Sequence, residues 1–327
     1  MIRSPYVAML EKAFRLFLLR AGLRWFAVLV LLGVTTLACA EEPNLALIRA
    51  VDSGDAGGAA AALEAGAEVN RANLSGDTPL FRAARGGHGP VARVLMQKGA
   101  ELELRNADGL TPLLVASRAC AGGVARILLE AGATANAADP AGASGLMLAA
   151  ERCGDGALKP LLAASPQLDA RDGRGRTALW RAVDHNNLQA AMALLNAGAD
   201  PRLAPPGQPE PLWHAVERGA ADLAALLLQH GAALDKPNAD GDTVLMLAAR
   251  LGNTAAAAQL LKSGADPNHR NKLGETALML AAATGHGDTI SVLLAAHADP
   301  ALRDNRKETA LDIASAANAE DAMKRLK

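Results

Sequence analysis

Few side chains in this 327-residue sequence could do reactive chemistry, and they are scattered. The histidines are His88, His185, His214, His230, His269, His286 and His297, and the cysteines are Cys39, Cys120 and Cys153. Metal or hydrolytic chemistry needs tighter groupings. It would show as two histidines one helical turn apart, cysteines two residues apart, a serine in a glycine-flanked elbow, or a glycine-rich loop ending in lysine. None is present, so no catalytic residue, metal site or cofactor is assigned. The stretch from Arg174 to Arg218 has a different character. Aromatic residues make up 2% of the chain, yet Trp180 and Trp213 both fall here, among Arg174, Arg176, Arg181, Asp184, His185, His214, Glu217 and Arg218. Tryptophan and arginine are favoured in interaction hot spots because they combine large contact area with directed hydrogen bonding.

Trp180 and Trp213 are 33 residues apart, and so are Cys120 and Cys153. The elements that must position them repeat at the same interval. Between Asn238 and Arg270 two short segments, Thr243 to Arg250 and Thr254 to Lys262, carry apolar residues at helical spacing. Gly252 and Gly264 stand where the two helices should end, and Asn238 and Gly241 supply turn chemistry before them. The Thr-x-Leu step at Thr243 recurs at Thr78, Thr111, Thr177, Thr276 and Thr309, with worn copies at Ser144 and Glu210. A Gly-Ala rung recurs at Gly66, Gly99, Gly132, Gly198, Gly231 and Gly264. One unit is too small to bury its own apolar face, and a fixed period without insertions is the mark of a stacked solenoid.

The period, T-P-L at Thr78 and Thr111, A-A at Ala83, G-H at Gly87 and L-L-x-x-G-A from Leu128 resemble ankyrin repeats. The resemblance covers the chain from about residue 44 onward. It implies an all-α solenoid of about nine helix-turn-helix repeats with short β-turn or hairpin loops, in one domain spanning residues 41–327. Residues 44–71 would form an N-terminal cap repeat and 304–327 a C-terminal one. Ankyrin repeats carry His after T-P-L; here that site holds Phe81, Leu114, Met147, Trp180, Trp213, Met246, Met279 and Asp312. Apolar packing should partly replace the usual hydroxyl–imidazole bonding. The family binds other proteins through turn tips and the first-helix face, which implies a non-enzymatic scaffold. It places partner contacts at Arg174, Arg176, Asp184, His185, Pro206, Gly207, Pro209, Glu217 and Arg218, beside Trp180, Arg181, Trp213 and His214. The tryptophans either anchor a partner or fill the junction that His leaves vacant. The rival class is an enzyme or small-molecule-binding protein using the same His/Arg/Asp patch; a tight pocket with shifted ionisations would favour it.

Two regions keep the period but depart from the residue pattern. In the repeat from Ala137 to Ala170, Lys159-Pro160 should interrupt the second helix. From Asp200 to Pro211 five prolines crowd one turn and Gln208 replaces the turn glycine, against the usual hairpin. Cys120 and Cys153 occupy equivalent sites in adjacent repeats. They are a possible disulfide or two free thiols, because equivalent sites about 8–10 Å apart exceed the roughly 7 Å a bridge allows.

Residues 1–40 hold five Lys or Arg and one acid, whereas residues 41–327 hold 28 basic and 33 acidic residues. That balance is no nucleic-acid footprint. The order within residues 1–40 is a basic region, an apolar run from Trp25 to Leu37, then Ala38-Cys39-Ala40, which is that of a secretory signal. Cleavage after Ala40, lipidation of Cys39 in the lipobox-like T-L-A-C, and an uncleaved membrane anchor remain three alternatives, and translation could begin at Met9. The expectation is an exported, periplasmic bacterial monomer whose partner is another protein and which meets the membrane only through its N-terminal segment.

Overall fold

A computed structural model describes residues 42–164 and 167–327. The signal-like segment, with Cys39, and the Ser165-Pro166 pair lie outside the described residues. Among the described residues nine helix pairs follow one another. Their first helices are α1 (Pro43–Ser53), α3 (Pro79–Gly86), α5 (Pro112–Arg118), α7 (Gly145–Ala150), α9 (Ala178–Asp184), α11 (Pro211–Glu217), α13 (Val244–Arg250), α15 (Ala277–Thr284) and α17 (Ala310–Ala316). Their second helices are α2 (Ala56–Glu64), α4 (Gly89–Gln97), α6 (Gly122–Glu130), α8 (Asp155–Ala164), α10 (Leu188–Asn196), α12 (Ala221–Gln229), α14 (Thr254–Lys262), α16 (Gly287–Ala295) and α18 (Glu320–Leu326). No strand occurs among the described residues; the one isolated bridge pairs Ala138 with Ser144.

Each unit is built from local rules. A Thr or Ser hydroxyl caps the first helix by accepting the N–H three residues on, as at Thr111, Ser144, Thr177, Thr243, Thr276 and Thr309. The first helix then stops on a left-handed residue, usually glycine, such as Gly252 at φ 66°. Asn or Asp opens the following hairpin by accepting two backbone N–H groups, as Asn106 does from Asp108 and Leu110. Where His is missing after Thr-x-Leu, the loss is uneven. Asp312 accepts from both the Thr309 amide and hydroxyl at 2.9 and 2.8 Å, restoring a polar bond. Beside Phe81, the Thr78 hydroxyl is buried with no partner.

First helices pack on first helices and second on second, so the core is a ladder. Leu80, Leu113, Leu146, Leu179, Leu212, Leu245 and Leu278 form its first-helix rail, all at most 2% exposed. Leu95, Leu128, Leu161, Leu194, Leu227, Leu260 and Leu293 form the second rail. Alanines fill the space between, and each buried leucine contributes about 1.5–3 kcal/mol relative to exposure. Leu311, the next rung, is only half-buried, since no described repeat packs on its outer side.

Both irregular regions keep the architecture more fully than their composition suggests. α8 runs through Pro160 without a break. Pro160 cannot donate to the Gly156 carbonyl. That oxygen lies against Gly122 of the preceding repeat, where an added Cβ would stand 2.1 Å from it. The missing side chain at Gly122 is what lets the freed carbonyl fit. In the proline-rich turn the left-handed residue is Gly207 at φ 70°, one place earlier than in other repeats, and Gln208 N–H bonds Pro205 C=O at 3.1 Å. Pro206 then Gly207 is the pattern of a type II turn, so the reversal survives with different chemistry. Pro140 and Pro206 instead lay their rings over Gly109 and Gly175 of the preceding turns.

Candidate partner-binding surface

The residues singled out between Arg174 and Arg218 come together across α9, α11 and the turns before them, but they do not form one exposed patch. Arg181 is 3% exposed and lies inside the stack. Its guanidinium donates to Asp172 Oδ2 at 2.6 Å and to Glu151 at 2.7 Å. Arg176, half-buried, donates to the same Asp172 oxygen at 2.9 Å. Burial would raise the Asp172 carboxyl pKa, but hydrogen bonds from Arg181, the Arg176 and Arg174 amides and the Arg176 side chain outweigh it and hold the value at about 2. Arg181 is therefore an internal ion-pair member, and Arg176, on the same carboxylate, is only partly withdrawn from the surface. Asp172 and Glu151 complete the network and went unnoticed in the sequence. Asp172 was legible as the hairpin-opening Asn/Asp position; nothing marked Glu151 in advance.

Trp180 is also buried, 6% exposed, and its indole N–H donates to Pro209 C=O at 3.3 Å. His214 from the next repeat stacks on its ring at 4.8 Å with an 11° interplanar angle. His214 Nε2 lies 2.9 Å from Asp184 Oδ1, and its buried Nδ1 faces Glu217 at 3.6 Å without a hydrogen bond. Arg218 approaches the same Asp184 oxygen at 3.6 Å. The ring is clamped between tryptophan and two carboxylates, leaving no nitrogen presented to solvent. Trp180 thus fills the turn–helix junction, whereas Trp213 is half-buried and walls an open groove of about 390 Å³ with Pro209, Leu247 and Arg250. Arg174, His185, Pro206, Gly207, Glu217 and Arg218 are the members left exposed, with Asp184 and Pro209 half-buried among them.

The other histidines serve the stack. His88 and His286 cover Gly54 and Gly252 of the preceding repeats. His230 bonds Leu226 C=O and Asn196, His269 bonds Gly241 C=O, and His297 takes the left-handed glycine rung at φ 65°. No group of three metal-ligating residues occurs among the described residues.

Cys120 and Cys153 are joined, with Cα atoms 5.2 Å apart. Uniformly spaced repeats would hold equivalent sites too far apart for a bridge. Here Gly122 meets Gly156 and Ala157 backbone directly, with no side chain between, and the two repeats close up locally. Cys120 is exposed at a left-handed position, φ 57°, and Cys153 is buried.

A family profile described as ankyrin repeats (3 copies) matches residues 47–139, 119–205, 146–238, 198–271 and 245–327. The chain belongs to the ankyrin repeat family. Among solved structures it is similar to the ankyrin repeat domain of Bcl-3, described as a unique member of the IkappaB protein family. The two are 33% identical over 67% of this chain and 99% of the other, with a TM-score of 0.58. No curated protein matches this sequence. Ankyrin repeats generally mediate protein–protein interaction.

Proposed function

We propose that this chain is a non-enzymatic protein-binding scaffold of the bacterial cell envelope, exported by its N-terminal segment and facing the periplasm. The observation that carries the scaffold reading is the His214 clamp. The histidine–carboxylate constellation of the middle repeats is spent on inter-repeat packing, and the groove beside it, lined by Trp213 and Glu217, is open rather than enclosed. The signal-like order of residues 1–40 supports export, and the Cys120–Cys153 bridge suits an oxidising compartment. Among the described residues no helix is long and apolar enough to cross a membrane.

Two measurements test this. N-terminal sequencing of the protein recovered from the periplasm should begin at Glu41. A lipidated Cys39, or an intact Met1 or Met9, would replace that processing route with another. Cross-linked partners should be recovered by the wild-type protein and lost from a variant carrying Arg174→Ala, His185→Ala, Glu217→Ala and Arg218→Ala. That variant should melt close to wild type, because exposed substitutions usually cost within about 0.5 kcal/mol each. Unchanged recovery would move the binding surface elsewhere.

A further inference from the structure

The Cys120–Cys153 bridge has two unlike ends. Cys120 is exposed in the turn after α5, and Cys153 is buried in the turn after α7. A thiolate breaks a disulfide by bonding to one sulfur and expelling the other. Solvent meets the Cys120 end, so that sulfur is the one attacked and Cys153 is the one expelled. The buried end is fitted for a thiol. Ser117 C=O lies 3.3 Å from Cys153 Sγ, so the expelled sulfur, once protonated, has an acceptor in place. Asn187 of the next repeat donates to the Ala150 and Cys153 carbonyls at 3.1 and 2.9 Å. The Cys153 backbone is thus held without the bridge.

Cys120 is in the less settled conformation. Its φ of 57° is left-handed, which a Cβ disfavours, and the equivalent positions of other repeats are Gly87, Gly219, Gly252 and Gly285. Once the bond opens, the turn can relax on that side. The surroundings are also cationic. Arg118 and Arg152 stand within two residues of the cysteines and are exposed. The acids of the second turn are engaged, Glu151 by Arg181 at 2.7 Å and Asp155 by Lys159 at 2.9 Å. Electropositive, partly exposed surroundings are those in which cysteine sulfur exchanges readily.

We propose that the bridge is a reversible exchange site for anionic thiols, with Cys120 as the entry sulfur and Cys153 as the resolving one. The incoming thiolate bonds to Cys120 Sγ as the bond to Cys153 breaks. The electron pair leaves on Cys153 Sγ, which takes a proton from solvent and donates a hydrogen bond to Ser117 C=O. The incoming sulfur is oxidised to the disulfide level and Cys153 is reduced to a thiol. Return attack by Cys153 on Cys120 expels the thiol and restores the bridge. Attack by a second thiolate on the incoming sulfur instead releases Cys120 as a thiol and joins the two reagent sulfurs to each other. The inference goes beyond the scaffold reading, because it makes the link between two repeats conditional on the thiols around it.

The test uses the folded full chain, without denaturant, and reduced glutathione, a thiol of net negative charge. The reaction is stopped with acid, free thiols are blocked with N-ethylmaleimide in urea, and the tryptic peptides beginning at Ala119 and Cys153 are weighed. Glutathione should appear on the Cys120 peptide about tenfold or more in excess over the Cys153 peptide, at a rate proportional to its concentration. Cysteamine, a cationic thiol, should react about threefold or more slowly at matched thiolate concentration, and the gap should close in high salt and in Arg118→Gln, Arg152→Gln. Single-thiol variants give a second reading. Oxidised glutathione should modify Cys120 in Cys153→Ala but leave Cys153 in Cys120→Ala untouched until urea is added. Equal or greater modification of Cys153 would overturn the proposal. So would a wild-type rate independent of glutathione concentration, which would mean that the fold must open first, or equal rates for the two thiols. Each of these outcomes leaves the scaffold reading standing, since partner capture needs no exchange.

Discussion

Asp172 ties the hairpin of its own repeat to the first helix that follows. It opens a hairpin through the Arg174 and Arg176 amides and balances two guanidiniums, all through one carboxylate that is 1% exposed at the side chain. Its folded pKa, about 2, is below the ordinary value of 3.8, so the stabilisation is complete above about pH 4 and is lost as pH falls through about 2. The shift corresponds to about 2 kcal/mol. Urea unfolding at pH 6 and pH 2 should show that loss in the wild type and little of it in Asp172→Asn, which keeps the hairpin bonds that Asn106 makes in its own repeat. Arg181→Ala should cost about 3 kcal/mol at pH 6, because it leaves Asp172 and Glu151 with a lost partner in the interior. Equal acid sensitivity of wild type and Asp172→Asn would show that other carboxylates dominate.

At the scale of elements, the junction between α6 and α8 concentrates the irregularity of the chain. Pro160, Gly122, Gly156 and the bridged cysteines form one adjustment: a helix loses a backbone donor, its carbonyl leans on the neighbouring repeat, and glycine makes the room. Gly122→Ala should therefore cost about 1–3 kcal/mol, since the new methyl meets backbone that cannot rotate away. Gly123→Ala, next in sequence but with open space at its Cβ, should be neutral or stabilise by about 0.4–1 kcal/mol. Denaturant midpoints of the two variants check the pair, and similar effects would remove the close-approach argument. This junction also marks where sequence reasoning ran out. Helices, left-handed rungs and the leucine rails were legible because each depends on residues within one repeat at a fixed spacing. The fit of Gly122 to Gly156, the capture of Arg181 by Glu151 and the stacking of His214 on Trp180 are contacts between repeats. No single-repeat pattern encodes them, and a residue such as Arg181 reads as exposed until its partner is in place.

For the whole molecule, stability in a solenoid is a sum over repeats and nearest-neighbour interfaces. The repeat around α7 and α8 combines a worn Thr-Pro step with Pro160, and it should be the first to open when unsupported. The Cys120–Cys153 bridge closes a loop of 33 residues there. Loop-closure entropy gives that link about 3–4 kcal/mol. Hydrogen exchange should show residues 137–170 protected like their neighbours in the oxidised protein and opening earliest after reduction or in the Cys120→Ala, Cys153→Ala variant. Uniform protection after reduction would show that the interfaces alone hold this repeat.

The same link changes how the molecule would behave as a spring. Drawn out by its two ends until every helix has unravelled, the oxidised chain passes tension from Cys120 to Cys153 directly, and the residues between them hang slack beside the load path. At about 3.3–3.6 Å per residue, the fully stretched oxidised chain is shorter than the reduced one by about 110 Å. Single-molecule force–extension traces should show that difference in final length on adding reductant, so the redox state of one pair of sulfurs can be read as the reach of a tether.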